Sequence, residues 1–541
     1  MTFAMTSSSS SALLRLISRR SAITISNVSC SFKSTKSTPS PQLNSLDDDS
    51  YYPVGPAEPS SPDDAYISRY RDPSHHDDYI LLDHHHPYTF RARPTATQAL
   101  PPRKRPPTFD AAQSSFEARV ARLEMEGSWA GSLTYSGKTE STKLLPERRV
   151  EISKRGIGLC FPGSGSQYIG MGSFLLPHSK GFRDTWDEAE EALIGFERWR
   201  QSLDLVDRLH ALGYTSDQAN LLGGPMRRGA TLGSNDPGLK HVVFNGPGHE
   251  LTRSSNAQPA IFITSFAYLR ALEVDYGASI SNLIRAFSGH SSGEYTACAA
   301  AGVMSFANAV HLTRLHGLLT TRTLELKGLA PYTAIHLSDN QRAQMSALII
   351  NAPLYGLSDI TRVLSASDTN ASGLGPVEIA SINSSTQIVL SGSRAGVLAA
   401  CERLSELNIA HRAADLPCAA PFHCSFMTPA SQGMAIALEA VTLNPPLRPI
   451  ILSPPTGQAS YTLTGDALRN HLASAIRSPV MWSNTVTGMP KSNLGVDTLV
   501  FVGPGKALAN LCRKEIPDGI KSVSSLATAH DFETLAQELA T

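Results

Sequence analysis

The residues best placed to do chemistry in this sequence surround Ser291. This serine is the centre of a G-x-S-x-G pentapeptide at Gly289–Gly293, between an apolar segment at Leu283–Ser288 and an alanine-rich segment at Glu294–Ala301. Glycines on both sides of a serine allow the sharp strand-to-helix turn that exposes a nucleophilic hydroxyl. Backbone amides and the helix dipole at the start of such a helix favour a developing negative charge. The pattern therefore predicts a serine nucleophile.

A serine hydroxyl attacks only when a base removes its proton, so a histidine must lie close to Ser291 in the fold. Of the 17 histidines, His423 is the preferred candidate. It lies in a loop that contains Pro417 and Pro421, ahead of a predicted helix. A surface or capping role is the alternative for a histidine in a loop, so position alone does not decide between them.

Six motifs along residues 155–530 resemble those of the malonyl-CoA:acyl carrier protein transacylase family, in its mitochondrial form. They are FPGSGSQYIGM at 161–171, NAQPA at 256–260, GHSSGEY at 289–295, INSSTQ at 382–387, PFHCS at 421–425 and FVGPGK at 501–506. The resemblance implies an α/β fold with a large α/β-hydrolase-like subdomain and an inserted small ferredoxin-like subdomain. The site is then expected in the cleft between the two.

The resemblance also implies an activity, in which a malonyl group passes from malonyl-CoA to Ser291 and then to the phosphopantetheine thiol of acyl carrier protein, for mitochondrial fatty-acid synthesis. His423 would act first as general base and then as general acid. Backbone amides of Ser164 and Ser292 would form the oxyanion hole, although Ser164 replaces the usual glutamine. The main-chain carbonyl of Ala475 would orient His423. No cofactor is expected, and the family implies a monomer.

The expected acyl-binding position departs from the family pattern. Counting without gaps from Ser291, His316 stands where the family has an arginine that pairs with the malonyl carboxylate. A guanidinium offers two permanently charged hydrogen bonds, whereas a histidine is mostly neutral near pH 7. Transfer of a neutral acyl group such as acetyl is therefore an alternative, and so is a core histidine without a ligand. Helical spacing from Ala309, Leu312 and Leu319 predicts that His316 points inward.

Four further features have weaker functional interpretations. Arg477, beside the segment expected to flank His423, is a candidate compensating cation for the substrate. Asn383 and Gln387 match family positions near the cleft, where a packing or turn role is equally compatible. The segment Gly503–Lys506 lacks the spacing and the Ser/Thr of a phosphate loop, so we expect a strand-to-helix turn there.

The scaffold for these residues is predicted to occupy 148–541. Short apolar runs that end in glycine alternate there with helical segments, which is typical of a sheet built from βα units. Strands are predicted at Gly156–Phe161, Leu283–Ser288 and Thr498–Gly503. A change of rhythm predicts a smaller α+β subdomain at about 332–417.

The first 147 residues have a different composition. Residues 1–46 contain five basic residues among many serines and threonines, and the first acidic residue is Asp47. This is typical of a mitochondrial transit peptide, with a disordered basic tail as the alternative. Residues 47–147 are rich in Pro, Ser, Asp and His and have few periodic apolar positions, which predicts a disordered linker. We therefore expect a location in the mitochondrial matrix.

Composition excludes several other classes of protein. The 47 basic and 47 acidic residues balance, so no nucleic-acid partner is indicated. Seven scattered cysteines without a CxxC pair predict neither a disulfide framework nor a metal site. No apolar run reaches the roughly 18 residues that a membrane span needs. The remaining alternative from another enzyme class is an acyl-CoA thioester hydrolase, which would pass the acyl group to water.

Overall fold

The computed structural model describes residues 156–540, except 226–237, 277–282, 333, 367–375, 417, 453–459, 462, 464 and 493. The predicted transit peptide and linker lie outside the described residues. Within these ranges the chain forms one mostly parallel sheet and one antiparallel sheet with helices. The predicted α/β class is therefore confirmed.

The strands divide between the two sheets. In chain order they are β1 (Ile157–Phe161), β2 (Ile284–Gly289), β3 (Ala343–Ile350), β4 (Val377–Ile382), β5 (Gln387–Ser393), β6 (Ala410–Asp415), β7 (Ile450–Leu452), β8 (Ser460–Tyr461), β9 (Thr498–Val502) and β10 (Ser522–Leu526). The first sheet has the order β10-β9-β1-β2-β7-β8, and the second has the order β4-β5-β3-β6. The three strands predicted for the first sheet are β1, β2 and β9, each confirmed to within one residue at either end.

The helices cover both sheets. They are α1 (Lys180–Gln201), α2 (Leu205–Ala211), α3 (Ser216–Gly223), α4 (Gly238–Asn245), α5 (Gly248–Thr252), α6 (Ser254–Val274), α7 (Gly293–Ala300), α8 (Phe306–Leu326), α9 (Leu357–Ala366), α10 (Arg394–Glu406), α11 (Thr428–Glu439), α12 (Gly465–Ala475), α13 (Trp482–Lys491), α14 (Ala507–Lys514) and α15 (Ala529–Ala540). Short 3-10 turns lie at Ser173–Leu175, Asp339–Gln341 and Ser425–Met427. None of the described helices combines the length and apolar character of a bilayer span.

The centre of the parallel sheet positions the candidate nucleophile. Strands β1 and β9 are buried along their whole length, as expected for parallel strands with helices on both faces. β1 pairs with β2 so that Phe161 lies opposite Gly289. The carboxyl ends of parallel strands meet at one edge of the sheet, so the loops after β1 and β2 lie side by side.

The second sheet is built from a β-α-β-β-α-β unit, all of whose strands pair antiparallel. It occupies 343–415, inside the range predicted for the smaller subdomain. The sequence indicated β4, β5, α10 and β6 but not β3 or α9. Val480, just before α13, exchanges hydrogen bonds with β4: its N–H donates to the Ala380 carbonyl at 2.9 Å, and the Ile382 N–H donates to its carbonyl at 2.9 Å. This bridge ties the small sheet to the segment that leads into α13.

Candidate active site

The turn that carries Ser291 runs from the end of β2 to the start of α7. Ser291 has φ +57°, a left-handed conformation that costs on the order of 1–3 kcal/mol for a residue other than glycine. Gly289 makes the turn sterically possible, since a Cβ there would lie 2.0 Å from the Gly293 carbonyl carbon. The strained serine between a strand and a helix has the geometry of a nucleophile elbow.

His423 lies against this serine, as the sequence predicts. Its Nε2 is 2.7 Å from Ser291 Oγ, and its Nδ1 is 2.9 Å from the Ala475 carbonyl oxygen and 3.0 Å from that of Ser478. A carbonyl oxygen only accepts, so Nδ1 carries the proton and Nε2 is free to accept from the serine hydroxyl. The pair therefore has the tautomer and the distance that general-base activation of a serine requires.

The environment keeps His423 neutral. The side chain is buried, and burial lowers its pKa below the ordinary value, while its hydrogen bonds to the Ala475 and Ser478 carbonyls oppose part of that shift. Cys424, the next residue, is not a competing nucleophile, because burial raises its thiol pKa to about 12. Ser291 is thus the candidate nucleophile within hydrogen-bond reach of this histidine.

The glycine loop after β1 approaches the elbow from the other side. The His290 N–H donates to the Phe161 carbonyl at 2.9 Å, and a Cβ at Gly163 would lie only 2.3 Å from the His290 carbonyl oxygen. Among the described residues, the amides of Ser164 and Ser292 donate to no protein acceptor. Two free N–H groups beside a serine nucleophile are available to an oxyanion.

A small pocket borders this loop. Its walls include Ser164, Gly165, Ala257 and Phe422. Phe422 directly precedes His423 in the chain. The pocket therefore adjoins both the glycine loop and the candidate base.

Asn383 comes close to the elbow through its neighbour His290. The His290 Nε2–H donates to Asn383 Oδ1 at 3.0 Å, while burial lowers the pKa of His290 to about 4. Gln387 closes the β4–β5 turn by accepting from the Asn383 N–H at 2.9 Å. The small sheet thus contacts the nucleophile loop through Asn383, and Gln387 has a turn role.

His316 points inward, as predicted from helical spacing. It is buried on α8, its ring is 5.8 Å from that of Tyr295, and within the described part of the chain its Nδ1 has no hydrogen-bond partner. Burial, with a smaller contribution from nearby His423, lowers its pKa to about 3. The position expected to contact the acyl carboxylate therefore holds a neutral imidazole near pH 7.

The positively charged side chains considered as partners for a substrate carboxylate either bind other parts of the chain or face solvent. Pro259 has no N–H, so it leaves the Ser255 carbonyl without its intrahelical donor at the start of α6. Arg314 donates to that carbonyl at 2.6 Å and also to Asn256 Oδ1. The side chain of Arg477 is exposed to solvent, and Lys506, in the predicted strand-to-helix turn after β9, pairs with Asp531 at 2.9 Å. Arg314 therefore binds the start of α6.

Comparison of the sequence with known proteins finds an acyl transferase domain and similar transacylases. Residues 159–349 match the acyl transferase domain. The chain is 29% identical to the malonyl CoA-acyl carrier protein transacylase of Haemophilus influenzae over 69% of this chain and 98% of that protein. It is 28% identical to the protein of the same name from Bacillus subtilis, over 66% of this chain and 90% of that protein. The chain therefore contains an acyl transferase domain and is similar to malonyl CoA-acyl carrier protein transacylases. The motif resemblance found in the sequence is therefore confirmed at the level of the family.

Solved structures agree with this acyltransferase assignment. The acyl-carrier-protein-S-malonyltransferase of Bartonella henselae is 27% identical, with a TM-score of 0.53, over 71% of this chain and 100% of that chain. The shared region corresponds in extent to the part of the acyltransferase that the structure describes.

Two features of the acyltransferase site were not predicted. Ser478 supplies a second carbonyl to His423. Glu294, in the first turn of α7, pairs with His471 of α12, with Oε2 and Nε2 2.9 Å apart and both side chains buried. The only sequence signal for this pair was a glutamate inside the elbow motif, which does not indicate its partner 177 residues later.

Proposed function

We propose that this acyltransferase moves a malonyl group from malonyl-CoA to the phosphopantetheine thiol of acyl carrier protein through an ester on Ser291. The observation that carries the proposal is the 2.7 Å contact between Ser291 Oγ and His423 Nε2, with Nδ1 held by two carbonyls. The names of the relatives support malonyl-CoA as donor and acyl carrier protein as acceptor.

The chemistry divides into two half-reactions. His423 takes the Ser291 proton as Oγ attacks the thioester carbonyl, and the amides of Ser164 and Ser292 hold the oxyanion. Collapse breaks the carbon–sulfur bond, and the proton on His423 passes to the departing thiol of coenzyme A. The carrier thiol then gives its proton to His423 and attacks the ester carbonyl. Collapse breaks the bond between the carbonyl carbon and Ser291 Oγ, and His423 returns the proton to Oγ. The result is ping-pong kinetics without a cofactor.

His316 is the proposed contact for the free carboxylate of the malonyl group, with its unpartnered Nδ1 as a hydrogen-bond donor. A bound carboxylate would also raise the pKa of this imidazole and favour its charged form. Arg477 remains a candidate cation at the entrance, in keeping with its exposed side chain. Asn383 would hold His290 in the elbow and not touch the substrate.

The proposal extends to architecture and location. The β-α-β-β-α-β unit supports the interpretation of 332–417 as a ferredoxin-like subdomain inserted in an α/β-hydrolase-like one, with an acyltransferase domain at 148–541. The composition of residues 1–46 supports import into the mitochondrial matrix, for fatty-acid synthesis there. Import of a fluorescent fusion of residues 1–46 would test this, and a diffuse cytosolic signal would contradict it. We also expect a monomer, and the molar mass measured by light scattering would test this.

Intact-protein mass spectrometry tests the activity. The full-length chain is mixed with malonyl-CoA or acetyl-CoA, and Ser291→Ala is the control. A malonyl adduct on the parent protein alone, discharged by holo acyl carrier protein faster than by water, is the expected result. An acetyl adduct without a malonyl adduct would overturn the substrate, and rapid discharge to water without the carrier would indicate a hydrolase.

A further inference from the structure

The structure contains a buried pair of a carboxyl group and an imidazole that the proposed reaction does not use. Glu294 follows the nucleophile by three residues, and its Oε2 lies 2.9 Å from Nε2 of His471. Both side chains are buried. A carboxylate costs several kcal/mol to bury unless it is paired and hydrogen-bonded, so this pair fixes where α7 and α12 meet. The pair therefore joins two helices at a defined point.

Each of these helices leads to one member of the candidate catalytic pair. Helix α7 begins two residues after Ser291. Helix α12 ends at Ala475, whose carbonyl binds His423 Nδ1, and the carbonyl of Ile476 accepts the His423 backbone N–H at 2.8 Å. The helix that follows the nucleophile and the helix that leads to the base are thus linked by this buried pair, and also by the Tyr295 hydroxyl, which donates to the Leu472 carbonyl at 3.4 Å.

The segment that holds His423 is fixed at both of its ends. On the far side, Val480 is bonded to β4 through its own N–H and carbonyl. On the near side, His471 is one helical turn before Ala475 and is bonded to Glu294. Between these anchors, residues 475–478 supply three carbonyls to His423. Loss of the near anchor would leave α12 held by the bond from Tyr295 to the Leu472 carbonyl and by those from Arg469 to the carbonyls of Leu438 and Val441.

We propose that Glu294 and His471 form a positioning pair, which holds the carbonyls of residues 475–478 on His423 and so keeps Nε2 aligned with Ser291. The proposal rests on the proposed function for the identity of the reacting groups, and it assigns neither residue a contact with substrate. The carboxylate of Glu294 also raises the pKa of His423, against the larger lowering caused by burial.

The test uses the reactivity of Ser291 toward a fluorophosphonate probe, in which Oγ bonds to phosphorus, fluoride leaves and His423 takes the proton. This readout needs no acyl-CoA, so it separates the pair from the choice of substrate. His471→Leu in the full-length chain removes the donor, and His471→Gln retains an N–H at a similar distance from the backbone. His311→Leu is the matched control, because His311 is also buried and bonds a carbonyl, that of Ala192, at 2.7 Å.

The expected result is that His471→Leu slows labelling of Ser291 by at least about tenfold, since small misplacements of reacting groups cost large factors in rate. His471→Gln recovers most of that loss, while His311→Leu labels at the parent rate among molecules shown to be folded by circular dichroism. The proposal is overturned if folded His471→Leu labels within twofold of the parent, or if His471→Gln is no faster than His471→Leu. It is also overturned if His311→Leu is slowed equally.

If the His471→Leu protein does not fold, Glu294→Gln provides a second test of the positioning pair. The neutral amide keeps a hydrogen-bonding group but removes the charge that raises the pKa of His423. The acid limb of the labelling rate should therefore move to lower pH, and an unchanged limb would overturn the proposal. If the parent labels at Ser291 but forms no acyl adduct with either acyl-CoA, the proposed function fails, and the comparison of variants still decides the role of the pair.

Discussion

Replacing Gly289 by alanine is expected to damage both folding and acylation. The added methyl group would lie 2.0 Å from the carbonyl carbon of Gly293, 2.1 Å from its oxygen and 2.2 Å from the nitrogen of Glu294. Carbon atoms in contact prefer about 3.5 Å, so the start of α7 would have to move by about 1.5 Å. All three atoms belong to the backbone, so no side chain can rotate away to relieve the overlap.

Two magnitudes follow from that displacement. Overpacking against backbone should lower the free energy of unfolding by about 3 kcal/mol. Since a shift of about 1 Å can cost a factor of about 100 in rate, Ser291 acylation in the folded fraction should fall at least that far. Urea unfolding and the rate of adduct formation by mass spectrometry measure the two effects.

Gly356→Ala is the matched control for this substitution. No atom lies within 4 Å of a Cβ at Gly356, so the same chemical change should alter stability by no more than about 0.5 kcal/mol and leave acylation unchanged. If the Gly289→Ala and Gly356→Ala proteins unfold at the same urea concentration and acylate equally fast, the steric account of the elbow is refuted.

Three further predictions follow from the site. Because burial lowers the pKa of His423 from 6.5, the acylation rate should rise with pH to a plateau and be half-maximal below pH 6.5. A midpoint above pH 6.5 in the pH–rate profile would contradict the assignment of His423 as the base. Arg314→Met leaves the Ser255 carbonyl without its donor, so the free energy of unfolding in urea should fall by about 1–3 kcal/mol while KM for malonyl-CoA stays unchanged. A raised KM at unchanged stability would instead place Arg314 at the substrate. His316→Leu should lower the ratio of malonyl to acetyl transfer by about tenfold or more, and His316→Arg should raise it, whereas an unchanged ratio in both would remove His316 from the acyl site.

The local features of the site could be predicted because they depend on neighbours in the chain. The elbow at Ser291 requires glycine on either side, and the buried strands before it are apolar, so both leave a pattern in the sequence. His423 is different, since only its resemblance to a family motif related it to a serine 132 residues away. Composition and spacing alone would not have selected it from 17 histidines.

The features that could not be predicted depend on long-range packing. Strand β3 carries Gln344 and Ser346 among its apolar residues, and both are buried because they bond within the small subdomain, Ser346 to Asp415 and Gln344 to Arg394. The partner of Glu294 could not be predicted either, because nothing near His471 in the chain indicates that it binds a carboxylate. In each case a polar residue is buried by a partner far away in the sequence, and a pattern of apolar positions does not record that partner.

The histidine at position 316 has a consequence for the base as well as for the substrate. His316 lies close enough to His423 that a positive charge on His423, when it is protonated, lowers the pKa of His316. A permanently charged arginine at the same place would act on His423 in the same way and make it a weaker base before any carboxylate is bound. A neutral imidazole leaves the base undisturbed in the free enzyme, and it provides a single hydrogen bond in place of the fork that arginine offers. If His316 contacts the malonyl carboxylate as proposed, a histidine there would bind it less strongly than an arginine would and leave His423 the stronger base, and the ratio of malonyl to acetyl transfer measures how much binding is lost.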